Sequence, residues 1–547
     1  MHQDKSSRPR QRWSAVCLAA LTALAAGTPA LSRAQAAAPA AAAEPAPQEA
    51  QRQVDIAEYI VRGNTVLDAR AIEQAVTPFL GPGRTMKDIE SARDALLAAY
   101  QAQGYQSVYV DLPEQQVTEG IVFLQVSETR VGRVRVVGAQ YNSPLEVREQ
   151  VSALQEGAVP DFNQAQAQLT ALNRSPKRQV VPLVRQGVLP GTMDVDLKVD
   201  DSSPWRGSLG LNNDYSADTR HLRATASIAN DNLWQMGHSL SLAFFGAPQD
   251  LDQTQVFSGS YVAPLPGSDW SLEASAYVSD SNVATIGGTN VVGKGHSIGL
   301  KATYTVPNAG EWYHAFSAGI DFKDNKEALR LGSTGDTVPL KYAPITLSYS
   351  GFLQDQRVQT ALNASIVAGT RSAFGYTSDA AAFDYKRYKA SPSFLVLKSD
   401  VNSTYTFASD LQLNTRLAGQ LTDSPLVSTE QIAAGGINSV RGYLAAESTG
   451  DIGLVGSAEL RSPAIGLFPS WLSNWRVYTF LDAAHLRLKE PLPQQKDRFS
   501  FGSVGLGTSF RLGEQLLGRV DLGYPLKDGA RTERHDTRLS FSLTATY

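Results

Sequence analysis

The chain has 547 residues, with 49 Lys and Arg against 53 Asp and Glu, a formal charge of -4 and a single cysteine. This slightly acidic balance argues against nucleic acid, which calls for a strongly basic footprint. One cysteine excludes an intramolecular disulfide and a multi-thiolate metal site. The seven histidines, at 2, 221, 238, 296, 314, 485 and 535, show no ligand spacing such as His-Glu-x-x-His.

At the N-terminus Arg8, Arg10 and Arg12 precede an apolar stretch from Ala15 to Ala26, and small residues follow through Ala34 and Ala36. That order reads as a secretory signal over residues 1–36, cleaved after Ala34 or Ala36. Cys17 lies inside the apolar stretch and leaves with it. Residues 37–53, rich in Ala, Pro, Glu and Gln, read as a flexible tether. Downstream there is no continuous apolar run of the roughly 20 residues that a membrane helix needs.

Two compact units come next. In residues 54–129, Tyr59 to Asn64 reads as a strand closed by Gly-Asn, and Asp68 as the cap of a helix ended by Pro78 and Gly81-Pro82-Gly83. Thr85, with Asp88 three residues on, caps a second helix whose apolar positions are Ile89, Ala92, Leu96, Leu97 and Tyr100. Tyr105 to Val110 and Gly120 to Val126 read as strands. The order strand, helix, helix, strand, strand recurs in residues 130–202, with strands at 131–137, 180–184 and 193–199 and helices at 144–154 and 162–172. A small sheet with helices on one face leaves an edge to which an extended polypeptide can add its backbone. The candidate client-binding residues are Tyr105, Val108, Val110, Ile121 and Phe123, with Gly120 to Val126 as the receiving edge; a passive spacer is the other reading.

After Pro204 the pattern changes to alternation that lasts to the last residue. Leu539, Phe541, Leu543, Ala545 and Tyr547 share one face and Ser540, Ser542, Thr544 and Thr546 the other, an apolar lipid face and a polar lumen face. Residues 271–278 and 222–228 alternate in the same way. Candidate strands begin near 206, 221, 237, 255, 270, 296, 313, 343, 357, 390, 403, 452, 475, 500, 516 and 537. Sixteen is an even count, which returns both ends of residues 203–547 to one side of the membrane. Short connections near 231–236, 264–269 and 307–311 read as periplasmic turns. Longer ones, among them 280–295, 323–342, 369–390, 418–451 and 486–500, read as surface loops. Sixteen strands can enclose an aqueous lumen, which by itself fits a nutrient porin equally well.

Several stretches resemble the outer-membrane transporters of two-partner secretion, the hemolysin secretion and activation or TpsB family, within the superfamily that includes barrel-assembly proteins. They are Val61-Arg62-Gly63-Asn64-Thr65, Leu172-Asn173 with Pro176 and Arg178, Asp231-Asn232-Leu233-Trp234, the run from Gly435 to Tyr443 containing Val440-Arg441-Gly442-Tyr443, Phe480-Leu481-Asp482, and Asp521 to Leu526. The resemblance implies tandem POTRA domains before a 16-stranded antiparallel transmembrane β-barrel in the outer membrane, with the POTRA domains in the periplasm. It also implies passage of a large partner exoprotein, an adhesin or hemolysin-like β-helix recognised through its N-terminal secretion domain. Barrel-assembly machinery and periplasmic chaperones are expected during biogenesis, together with outer-membrane lipid. No cofactor and no enzymatic activity are expected. The alternative is a barrel-assembly insertase of the same superfamily.

Two departures stand out. Ala484 occupies a position where the family motif continues to glycine. Residues 36–53 are also too few for both a pore-plugging helix and a returning linker, so the barrel is expected to be occluded by its long loop alone. Within that loop Arg441 reads either as a solvated surface arginine or as one folded into the lumen. The resemblance implies the second, paired with Asp482 on the thirteenth strand. Alternation independently turns Asp482 inward, opposite in phase to Leu481 and Ala483.

Phe541, Leu543 and Tyr547 are expected to form the terminal signal read during membrane assembly. Phe541→Arg would place a charge among lipid tails at a cost of about 2 to 4 kcal/mol near the midplane, whereas Ser542→Arg points to the lumen. Immunoblotting of outer-membrane fractions should show Phe541→Arg depleted well below Ser542→Arg; equal levels would show the assigned faces to be wrong.

Overall fold

The computed structural model describes residues 53–547 apart from 174–176, 282–284, 288–289, 293, 308–309, 327, 332–333, 338 and 467–470. The secretory signal, the tether up to Arg52 and Pro176 lie outside the described residues.

The first unit comprises β1 Val54–Ile56, β2 Glu58–Arg62, α1 Ala69–Val76, β3 Gly81–Arg84, α2 Met86–Ala102, β4 Val108–Asp111 and β5 Ile121–Glu128. On α2 the apolar spacing of three and four turns Ile89, Ala92, Leu96 and Tyr100 to one face, which is buried with Val108, Val110, Val122, Leu124 and Val126. The Asp88 carboxylate accepts from both the backbone N–H and the hydroxyl of Thr85, each at 2.7 Å, and this pins the start of α2. Asp68 holds the N-cap position of α1 without a side-chain hydrogen bond. The Gly63-Asn64-Thr65 turn has a local reason. Gly63 has φ of +86°, and a Cβ there would sit 2.3 Å from the Val126 carbonyl oxygen. Asn64 then bonds Leu67 through both ends of its amide and accepts from the Tyr100 hydroxyl at 2.6 Å.

The sheet order is β2-β5-β4, with β5 parallel to β2 and antiparallel to β4. This corrects the expected client edge. Gly120 to Val126 lies on the central strand, because the connection between helices and last strand carries the chain back between its neighbours. Strand β4 pairs only Gln125 to Glu128. Ahead of it, the Gln115 side chain takes up both the N–H and the carbonyl of Phe123, at 2.7 and 2.8 Å. The free sheet edges are β2 and β4.

The second unit repeats the topology. It comprises β6 Arg130–Val137, α3 Pro144–Gln150, α4 Phe162–Leu172, β7 Arg178–Gln186 and β8 Thr192–Asp201, in sheet order β6-β8-β7. Its core of Val131, Val147, Leu169, Leu172, Val195 and Leu197 is separate from that of the first unit. Asp201, at the end of β8, accepts from the N–H groups of Gln140, Tyr141 and Asn142 and from the Asn142 amide, at 2.8–2.9 Å. The turn it shapes meets the barrel. Gln235 accepts from Ser143 N–H and donates to the Tyr141 carbonyl, while Asn232 donates to Asn142 Oδ1. Asp231 pairs with Arg206 of the first barrel strand at 2.8 Å and with Lys177 of the second unit at 3.8 Å, and with the bonds of Asn232 and Gln235 this makes the turn at Asp231 to Gln235 the joint between the second unit and the barrel.

Sixteen antiparallel strands close the barrel among the described residues. In order they are Trp205–Asn212, Arg223–Leu233, His238–Gly246, Thr254–Pro264, Trp270–Ser281, Gly295–Thr305, Trp312–Asn325, an eighth in two pieces (Leu340–Tyr342 and Ile345–Gln354), Val358–Ala368, Leu395–Thr406, Gln412–Thr422, Ile452–Arg461, Leu472–Arg487, Arg498–Leu512, Leu516–Pro525 and Arg538–Thr546. The eighth is interrupted at Pro344, which has no N–H to give the ladder. Strands ten and eleven correct the expected starts near 390 and 403. Residues 395–406 form one long strand and the eleventh begins at Gln412, so the following loop runs over 423–451 and residues 418–422 are wall.

Leu272, Val278 and Leu539 are exposed on the outer wall while Asp482 and Ser540 are buried on the inner one, as a lipid face and a lumen face require. Exposed Trp205, Trp234, Trp270, Trp312 and Trp471 all stand at the end nearest the second unit, an aromatic girdle at one membrane interface. No described helix is long and apolar enough to cross a membrane.

Burial alone would raise the Asp201 pKa, but its four hydrogen bonds outweigh that and hold it below the ordinary carboxylate value. A depressed pKa contributes stability that is present above the unfolded value and lost as pH falls through the folded one. Hydrogen exchange on the intact protein should show Gln140 to Asn142 amides protected at neutral pH and opening below about pH 4. Asp201→Ala should open them at neutral pH, at a cost of about 1 to 3 kcal/mol.

Candidate functional site in the barrel lumen

The loop of residues 423–451 turns back into the barrel. Its anchor is Arg441, of which only 3% remains exposed. The Arg441 Nε and one terminal nitrogen donate to the two carboxylate oxygens of Asp482 at 2.7 Å each, and the Arg441 backbone N–H adds a third bond at 3.0 Å. The other terminal nitrogen reaches Glu459 at 2.6 Å and Asp521 at 3.4 Å. The guanidinium carbon lies 3.5 Å from the centre of the Phe480 ring, so its flat face is covered as well. A planar fork meets this geometry and an ammonium does not.

Three strands of one four-strand stretch of wall supply the other side. Glu459 comes from the twelfth, Tyr478, Phe480 and Asp482 from the thirteenth, and Arg519 and Asp521 from the fifteenth. Register puts Ser457 beside Asp482 and Glu459 beside Phe480, and the Ser457 hydroxyl donates to Asp482 at 2.6 Å. Arg519 bonds Asp521 at 2.7 Å and Glu459 at 3.2 Å, Arg461 pairs with Glu459, and the Tyr478 hydroxyl donates to Asp521. Three arginines thus face three carboxylates, and the cluster can be buried because its charges cancel and its lone pairs are filled.

The neighbours of Arg441 explain the rest of the tetrapeptide. Gly442 has φ of +92° and packs backbone to backbone on the fifteenth strand, where a Cβ on Gly523 would lie 2.6 Å from the Gly442 nitrogen. Val440 and Tyr443 are buried with Ala484, Leu486 and Phe501, so the alanine that departs from the motif lies under the loop as part of its apolar seat. The Tyr443 hydroxyl donates to the carbonyls of Gly502 and Lys527.

Further ties come from residues that sequence reasoning did not single out. Glu430 is buried between Lys323 at 2.6 Å and Lys398 at 3.8 Å and accepts from the Tyr342 hydroxyl. Asp451 accepts from Leu426 N–H, Lys489 N–H and the Gln431 amide. Glu447 binds the N–H groups of Arg531 and Thr532 in the last surface loop. In the first surface loop, Asp214 accepts from Ile437 N–H and the Tyr215 carbonyl from Ala445 N–H. Alternation could have turned Glu459 inward, but only register shows which inward residues come level with Arg441.

The other candidate residues lie apart from this cluster. Val108 and Val110 are core residues of the first unit, so a client could meet only their backbone. Tyr105 is half-buried in the turn after α2 and outside any strand, which corrects its place on the sheet. Ile121 and Phe123 are half-buried on the sheet face away from the helices, with the Arg62 guanidinium 4.1 Å from the Phe123 ring centre. Leu539 and Leu522 face each other in register and are both exposed, and Phe541 and Leu543 share their phase. Tyr547 is exposed at the end of the chain.

A closed 16-stranded barrel with a POTRA-like front end and a surface loop anchored in its lumen defines an outer-membrane transporter of the barrel-assembly and two-partner-secretion superfamily, its N-terminal domains towards the periplasm. The profile of the haemolysin secretion/activation protein family ShlB/FhaC/HecB matches residues 191–511, and that of the ShlB-type POTRA domain matches residues 54–129. The chain belongs to the ShlB/FhaC/HecB family, whose superfamily members are transporters and not enzymes. Among curated proteins it is similar to the outer membrane transporter CdiB of Escherichia coli, 24% identical over 177 residues. That alignment covers 32% of this chain and 30% of the relative, so the chain is matched to under a third of that protein's length. Among solved structures it shares its fold with CdiB from Escherichia coli, at 17% identity, a TM-score of 0.59 and coverage of 92% of this chain and 93% of that one. It also shares its fold with CdiB from Acinetobacter baumannii, at 15% identity, a TM-score of 0.56 and 90% of each chain. BamA from Haemophilus ducreyi lacking POTRA domains 1-3 aligns at 16% identity with a TM-score of 0.54, over 91% of this chain and 100% of that one.

Removing Arg441 would leave Asp482 and Glu459 facing each other across a partly dry cluster, and breaking a buried pair on one side costs about 3 to 5 kcal/mol. Limited proteolysis of the folded barrel should cut within 423–451 much faster in Arg441→Ala than in the parent. Arg441→Lys should restore little of the protection; full protection with lysine would show that charge alone holds the loop.

Proposed function

We propose that this protein carries a large partner exoprotein from the periplasm through its barrel to the cell surface. One observation carries the reading: among the described residues the lumen is crossed by a loop whose anchor is a buried set of ion pairs around Arg441, beside a small apolar seat for Val440 and Tyr443. Beside that loop remains a cavity of about 780 Å³ lined by Arg223, Lys301, Asp321, Lys398, Asp400 and Arg416. A polar lining lets an unfolded chain slide without sticking, and ion pairs in a wetted lumen weaken as the loop is displaced. The Arg441–Asp482 link therefore sets the ease of transport more than barrel stability. In this reading the periplasmic units receive the exoprotein's N-terminal secretion domain in extended form, at β2 or β4 rather than at β5. Phe541, Leu543 and Tyr547 form the signal for the barrel-assembly machinery, chaperones escort the chain across the periplasm, and no cofactor takes part.

The insertase reading has one observation in its favour. The closing pair of strands, first and sixteenth, is matched over only five register positions, Ser542–Asn212 to Thr546–Ser208. A short seam is what sideways release would use.

The test is release of a very long secreted protein, sought among the neighbouring reading frames, measured per assembled barrel. Arg441→Ala and Asp482→Ala should each reduce release, and the double variant should be no worse than the poorer single because the pair acts as one unit. Normal release from Arg441→Ala, or strictly additive losses, would defeat the loop mechanism. Unchanged surface release without the barrel, together with loss of other outer-membrane barrels, would favour the insertase.

A further inference from the structure

On its outer wall, at the surface end of strands six to eight, the barrel carries a row of polar side chains where apolar ones are the rule. Register places His296 beside Asp324 and Asp324 beside Lys341. All three are out of phase with Lys323 and Tyr342, which turn inward to Glu430. One outward step closer to the membrane stand Ile298 and Phe322, and then exposed Leu300, so the row lies at the upper limit of the apolar band. Asp324 Oδ1 is buried without a hydrogen-bond partner, while Oδ2 is 3.9 Å from His296 Nε2.

The loop after strand nine folds over this rim. Thr370 donates to the Ala343 carbonyl, and Ser378 and Lys341 exchange two hydrogen bonds at 2.7 and 2.9 Å. Past that clamp Phe383 is buried against Tyr342 on the inner side. On the outer side Tyr376 meets Phe322 edge to face at 5.5 Å, and Phe374 lies 6.1 Å from the same ring. Phe374 is 84% exposed and has φ of +54°, a conformation that few aromatic residues adopt. Lys341 Nζ sits 5.9 Å from the Tyr376 ring centre, and exposed Arg371 adjoins Thr370. No ion pair joins Lys341 or Arg371 to a described carboxylate. The five exposed tryptophans all stand at the opposite rim, so here the aromatic surface comes from a loop.

We propose that this rim binds a phosphorylated glycolipid of the outer leaflet. Its acyl chains lie along Ile298, Leu300 and Phe322, its sugar ring packs on Phe374 and donates a hydroxyl to Asp324 Oδ1, and its phosphate meets Lys341 and Arg371. Each chemical part of such a lipid has a counterpart here: an apolar wall below, and at the rim the Asp324 carboxylate level with the Lys341 cation, with the aromatic rings and Arg371 on the loop that folds over them. Cation-to-phosphate bonds are among the stronger polar contacts. The site lies outside the lumen and does not depend on what the barrel transports.

The experiment uses the full-length folded protein in detergent. Native mass spectrometry would count retained bisphosphorylated lipid A, dephosphorylated lipid A and phosphatidylglycerol, with inorganic phosphate as competitor. The parent should retain lipid A in preference to the other two. Lys341→Gln with Arg371→Gln should lower its apparent affinity roughly tenfold, and Phe374→Ser by several-fold. Heat-modifiable gel mobility identifies folded barrel; these positions are exposed, and if one variant misfolds the other decides. Equal lipid A retention by parent and both variants would overturn the proposal. So would full competition by millimolar inorganic phosphate, which indicates a free-anion site. Unchanged retention with reduced exoprotein release would also overturn it, since the loop would then contact the transported protein.

Discussion

A guanidinium enclosed on all sides is the constraint from which the lumen is built. Arg441 can leave water only because Asp482 takes its fork, Glu459 and Asp521 take its remaining nitrogen, and Phe480 covers its face. Those partners sit on strands twelve, thirteen and fifteen, so the loop reads the register of a quarter of the wall. A slip of one residue in any of them would turn a carboxylate out to lipid. The backbone contact of Gly442 with Gly523 and the seat of Tyr443 beneath Phe501 follow from the same anchoring, since each neighbour of Arg441 is held within a few ångströms of the wall.

The loop is also tied to both sides of the barrel's closing seam. Glu447 holds the surface loop that leads into the last strand, and Ile437 and Ala445 hold the loop that follows the first. Beyond the five paired positions of that seam, Asn213 takes over. Its side chain accepts from Phe541 N–H and donates to the Leu539 carbonyl, continuing the ladder with an amide. The same device recurs at Gln115 on β5 and at Asn173, whose amide bonds both polar groups of Val180 on β7. Three strand edges that would otherwise offer unpaired backbone are thus closed by side chains, one answer to the hazard of open edges.

Much of the architecture was legible because its signals are local. Gly-terminated strands, the helix cap at Thr85, and period-two alternation after Pro204 each depend on a few neighbouring residues. Asp482 could be turned inward by parity alone. Strands ten and eleven were misplaced because residues 395–406 alternate poorly, with Lys398, Ser399, Asp400 and Asn402 in mid-run. The central place of β5 was not legible either, because strand order inside a sheet is a matter of which segments meet, and no residue of β5 records its neighbours.

By itself the sequence determined the two repeated units, the barrel and the two faces of its strands, since burial in lipid or lumen imposes a periodicity that survives in the letters. It also singled out Val440 to Tyr443. Only the tertiary structure decided that Glu459 and Asp521 share Arg441 with Asp482, that Glu430 lies between Lys323 and Lys398, and that Asp231 to Trp234 joins the second unit to the barrel. These are contacts between residues dozens to hundreds of positions apart. They are set by strand register and by the path of the loops, and a linear pattern carries no record of which inward side chains come level once the barrel closes.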